Sequence, residues 1–92
     1  MIKRLTKIKL EIEHGCDSSY ALSVLDSIVA DYPHNDEPLT ERGMLHWGRG
    51  ERAAAIEDYL AAIRINPDSK AKIALQSANA ILNYYNKDLY NP

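Results

Sequence analysis

Phenylalanine is absent from this sequence, and cysteine and tryptophan occur once each. Six tyrosines and Trp47 therefore supply all of its aromatic area. A lone Cys16 has no partner for an internal disulfide, which fits a reducing compartment and predicts a cytoplasmic protein. An excess of either charge is also missing. Eleven Lys and Arg against thirteen Asp and Glu leave a net charge of −2, so no bulk electrostatic attraction to nucleic acid is expected. No segment approaches the roughly 20 consecutive apolar residues of a membrane span. The opening Met1-Ile2-Lys3-Arg4 lacks the apolar run of about 7 to 15 residues that a secretory signal needs.

Glycine and proline are few, four of each, and they fall as punctuation. Gly15 separates two helical patterns, as do Gly48 and Gly50, and Pro33 and Pro67 follow two others. Helices favour Gly just past their ends, and Pro cannot continue one. The spacing predicts five helices, at 2–14, 18–31, 37–48, 51–65 and 69–86. Asp17, Ser18 or Ser19 is placed to cap the second. Asp36 caps the third with Pro38 in its first turn, and Asp68 and Ser69 cap the fifth. The first segment has two readings. Leu5, Ile8 and Ile12 suit a helix, whereas Ile8, Leu10 and Ile12 alternate with charged residues as in a strand. A lone strand would have no ladder partner among four helices, so a helix is expected.

Two stretches echo each other 34 residues apart. Ala21, Leu22, Leu25, Ile28, Val29 and Pro33 recur as Ala55, Ile56, Tyr59, Ala62, Ile63 and Pro67. A fixed period of about 20–50 residues signals stacked supersecondary units. Ninety-two residues make one domain, 1–92, with a thin core; about 60–65% of the unfolded chain's surface would be buried. The units fall at about 1–34 and 35–68, followed by a half-unit and tail at 69–92. Gly15 lies 35 residues before Gly50, so the first turn is expected to carry one extra residue.

The second unit runs Leu39, Gly43, His46, Gly50, Ala55, Tyr59, Ala62, Pro67. This resembles the tetratricopeptide repeat: a small residue in helix A, Gly at the turn, then Ala, an aromatic, Ala and a closing Pro. The first unit matches at Ala21 and Pro33, with Leu25 for the aromatic and Lys9 at the small position. Arg42 stands where an apolar residue is usual; its stem can cover apolar surface while its head stays wet. After Pro67, Ala74, Ala78, Ile81, Leu82 and Tyr85 give one apolar face, suited to a capping helix. The chain thus resembles small bacterial-type proteins of two such repeats with a C-terminal capping helix. The resemblance implies an all-α solenoid of antiparallel helix-turn-helix units.

Catalytic spacing is lacking. His14, His34 and His46 share no metal-ligand motif with a carboxylate or thiol, and His14 with Cys16 falls short of three or four ligands. Gly48-Arg49-Gly50-Glu51 has no phosphate-loop lysine and reads as a turn. No enzyme, metal or cofactor is expected. The basic start, Lys3, Arg4, Lys7 and Lys9, is followed at once by Glu11 and Glu13 and reads as a solvated face, with no membrane or RNA partner.

The family lines a concave groove with its A helices. The resemblance implies groove positions at Thr40, Met44 and Trp47, and at Lys3, Thr6, Leu10 and Glu13 in the first unit. Thr6, Leu10, Thr40 and Met44 do not match the Lys and Asn of members that clamp a peptide carboxylate, so no such clamp is expected. A partly apolar groove suits an apolar peptide or amphipathic helix, and Trp47 either lines it or serves the core. The expectation is a non-catalytic adaptor for a protein or peptide. The rival is a self-associating homodimer whose Tyr-rich tail fills the groove.

Overall fold

The computed structural model describes the backbone over residues 2–85 and side chains over 2–79. The expected contacts of Ile81, Leu82 and Tyr85, and the tail from residue 86, lie outside the described residues. The protein is all-α. Its helices are α1 (Lys3–Glu13), α2 (Ser18–Asp31), α3 (Asp36–Gly48), α4 (Arg52–Ile65) and α5 (Ala71–Tyr85). The first segment is a helix, and the described residues contain no strand.

Local chemistry sets most of the boundaries. The Tyr20 N–H donates to Asp17 Oδ2 at 3.0 Å, so Asp17 caps α2. For α3 the cap is Asn35, one residue earlier than expected, whose Oδ1 accepts from the Glu37 N–H at 3.0 Å. Asp36 instead begins the helix beside Glu37, where a carboxylate suits the dipole. Ser69 Oγ accepts from the Ala71 N–H at 3.2 Å, so Ser69 rather than Asp68 caps α5. The helix starts two residues later than expected because its cap lies outside it.

The two A-to-B turns explain the missing residue in the echo. Gly15 and Gly50 both have positive φ, +84° and +82°. After each, the next N–H reaches back five residues, Cys16 to the Glu11 carbonyl and Glu51 to the His46 carbonyl. That is a Schellman ending, which needs a left-handed residue at the glycine. In the second turn Glu51 both closes α3 and serves as the N-cap of α4. In the first turn those duties are split between Cys16 and Asp17. The connection is therefore four residues long, His14 to Asp17, against three, Arg49 to Glu51.

The B helices keep the 34-residue spacing in three dimensions: Ala21, Leu25 and Ile28 are buried, as are Ala55, Tyr59 and Ala62. The A helices are set 35 apart. Leu5 and Ile8 occupy the buried positions that Thr40 and Gly43 hold in α3. One extra turn residue thus rotates α1 by about 100° against the sequence echo.

Each unit has its own core. Ile2, Leu5, Ile8, Ala21, Leu25 and Ile28 form the first; Leu39, Ala55, Tyr59, Ala62 and Ala71 form the second. Leu45 of α3 joins the first core and Val29 of α2 joins the second, which ties the units together. Gly43 lets α3 and α4 approach: an added Cβ would lie 2.6 Å from Tyr59 Cε1. Helices pack on their neighbours in sequence, α1 on α2 through to α4 on α5. The radius of gyration is 14.0 Å, above the roughly 12 Å of a compact domain this long, and the molecule measures 49 × 28 × 17 Å.

Candidate functional site

The helix α3 carries the most clefts. It is packed by α2 and α4, and its remaining surface bears Glu37, Glu41, Met44 and Gly48, spaced by four, three and four residues along one stripe. A large cleft, about 710 Å³, lies between this stripe and the α1–α2 turn. Ile12, Cys16, Ala21, Met44 and Leu45 give it an apolar lining, with Glu41, Ser18 and Arg49 at its margins. A second cleft, about 260 Å³, sits at the start of α3 among Lys9, Asp36, Glu37, Glu41, Asp68 and Lys70. A third, about 250 Å³, separates α3 from α5 and is lined by Met44, Trp47, Tyr59, Ala74, Ser77 and Ala78. Glu41 borders the first two, and Met44 borders the first and third.

Of the seven positions implied by the resemblance, exposed Lys3 lines none of these clefts, and the other six fare differently. Met44 is half exposed, at 52%, and lines two clefts. Trp47 packs on the second core and lines the α3–α5 cleft, not the large one. Its ring is covered by Arg52, whose guanidinium carbon is 5.4 Å from the centroid, a favourable cation–π distance. Thr40 is buried, and its hydroxyl donates to the Asp36 carbonyl at 3.0 Å with Ser69 Oγ 3.2 Å away. It joins α3 to the start of α5 and lines the second cleft. Leu10, 51% exposed, Thr6 and Glu13 stand on α1 away from the large cleft. The rotation of α1 brings Ile12 and Cys16 there in their place, and sequence reasoning passed over both.

Beside the clefts a chain of polar groups crosses the units. The Arg42 head keeps some exposure, as its sequence position implied, but it is also clamped. Its Nε and Nη2 donate to the two carboxylate oxygens of Asp58 at 2.9 and 2.8 Å, and Nη1 donates to Asp26 at 3.0 Å. The Asp58 side chain is only 8% exposed, so a bidentate guanidinium is what makes its burial tolerable. The same hydrogen bond to Asp58 raises the Arg42 pKa, outweighing burial, which lowers it. Further along α3, His46 Nδ1 lies 2.8 Å from Glu51 Oε1, and Arg49 Nε donates to that oxygen at 2.9 Å. These two hydrogen bonds, His46 first, hold the Glu51 carboxyl below its usual pKa. Arg49 Nη1 also donates to Ser18 Oγ at 2.7 Å, across to α2. Tyr59 is pushed the other way, upward, by burial first and then by Asp58 and Glu41.

Among the described residues no three His, Cys, Asp or Glu side chains converge as a metal site. No described helix is long and apolar enough to cross a membrane. No family model, curated protein or solved structure matches this chain.

Proposed function

We propose that this protein is a non-catalytic adaptor that holds a peptide or helix of another protein in the groove along α3. The observation that carries this is the 710 Å³ cleft with half-exposed Met44 on its rim. A cleft of this size and apolar lining is in the range that binds ligands, and an exposed, flexible Met side chain suits a peptide surface. The echo at 34 residues, the close approach at Gly43 and the paired turns support a tetratricopeptide-like scaffold. Function argued from a scaffold is associational, so the cleft and not the likeness bears the weight. The single cysteine favours a cytoplasmic setting. Met44→Glu, at an exposed position, should abolish capture of a partner from native cells while leaving the circular dichroism unchanged. Equal capture by both proteins rules the groove out.

One observation favours a second reading, self-association through α5. Ile73 is 68% exposed. Among the described residues α5 is packed by α4, whereas α3 is packed from two sides. Light scattering across a concentration series checks this: a constant monomer mass, unchanged by Ile73→Lys, removes it.

A further inference from the structure

We propose that the occupant of the groove is a peptide with apolar side chains at one end and a lysine or arginine at the other, laid along α3. This rests on the peptide-binding reading above and adds the partner's chemistry to it. The large cleft is apolar at Ile12, Ala21, Met44 and Leu45. Glu41 lines both this cleft and the smaller one, so an occupant laid along α3 meets both.

Charge distinguishes the two ends. The smaller cleft holds four carboxylates, Asp36, Glu37, Glu41 and Asp68, against the ammonium groups of Lys9 and Lys70. The starts of α3 and α5 each add about half a positive charge, which still leaves the cleft about one charge negative. Helix-dipole placement accounts for acids in the first turn, Asp36 and Glu37; Glu41 lies beyond it. Lys9 approaches Glu41 at 3.6 Å, with the lysine half exposed. Such a surface pair contributes little, so an incoming cation displaces Lys9 readily. At the other end Arg49 is already taken by Glu51 and Ser18, and an acidic peptide finds no competing attraction there.

Geometry sets the spacing within the peptide. Glu41 and Glu37 lie three and seven residues before Met44, about 4.5 and 10.5 Å along the helix axis. The cation therefore stands about one to two turns from the apolar anchor in a helical peptide. In an extended one the separation is about one to three residues.

The test is selection from a random peptide display library on the full chain, counter-selected on Met44→Glu. Peptides of about 12 residues suffice, since they span about 18 Å as a helix and about 40 Å extended. The expected winners pair Leu, Ile, Met or Trp with Lys or Arg at these spacings. Affinity for a winner should fall about tenfold in Glu37→Lys/Glu41→Lys, less in Glu41→Gln, and should weaken with salt. Acidic or uncharged winners overturn the charge assignment, as does an affinity within twofold after charge reversal. Those results leave peptide binding standing if Met44→Glu still abolishes it. No enrichment over Met44→Glu overturns both.

Discussion

Gly43→Ala is the most informative single change to the scaffold. In an exposed helix the change would stabilise by about 1 kcal/mol, because Gly is the poorer helix former. Here the new methyl would lie 2.6 and 2.8 Å from Cε1 and Cδ1 of Tyr59 and 3.2 Å from the Ala55 carbonyl oxygen. Tyr59 is 3% exposed, so its ring has little room to withdraw, and the carbonyl belongs to the backbone of α4. Overpacking of this kind costs about 1–3 kcal/mol, and two contacts below van der Waals distance place it at the upper end. The net loss should be about 1–2 kcal/mol, which lowers the Tm of a domain this size by about 5–10 °C. Urea unfolding, read by circular dichroism and by Trp47 fluorescence, measures it with an unchanged slope. In a Tyr59→Leu background the ring contacts vanish and the same Gly43→Ala should become neutral or stabilising. A Gly43→Ala that stabilises the wild type refutes the close α3–α4 approach.

Other consequences follow from the polar chain. Arg42→Met leaves buried Asp58 with only His46 Nε2, 3.8 Å away, in place of its bidentate partner, and should destabilise by about 2–3 kcal/mol, below the fully buried case because Arg42 keeps some exposure. Adding Asp58→Leu should recover most of that loss in urea unfolding; failure to recover contradicts the clamp. Glu51 has its folded pKa lowered by His46 and Arg49. Its contribution is therefore present above the usual carboxylate pKa and lost as pH falls through the lower folded value. The difference in urea midpoint between wild type and Glu51→Gln should be constant near neutrality and shrink below about pH 4.5. A difference that grows on acidification contradicts the assignment.

What the sequence revealed was mostly local. The B-helix stripes, the Asp17 cap and the proline stops depend on neighbours within one or two turns, and they read true. The phase of α1 did not, because it hangs on one residue in a turn: Glu51 does two jobs that Cys16 and Asp17 share. That rotation put Ile12 and Cys16, rather than Leu10, beside Met44. A 35-residue spacing of Gly15 and Gly50 was the signal, visible but not carried through to the groove. The Arg42 clamp was hidden differently. Its partners lie 16 residues away in each direction, Asp26 and Asp58, and no local pattern pairs them. Thr40 lines the smaller cleft, and the tie of its hydroxyl to Ser69, 29 residues on, has no local signal either.

The account turns on where a peptide sits. Backbone amide shifts of the full chain, titrated with a library-selected peptide, locate it most directly. The changes should concentrate on Ile12 to Cys16 and on Glu37 to Gly48. Changes centred instead on α5 around Ile73, or on the outer face of α2, would contradict the groove as the binding site.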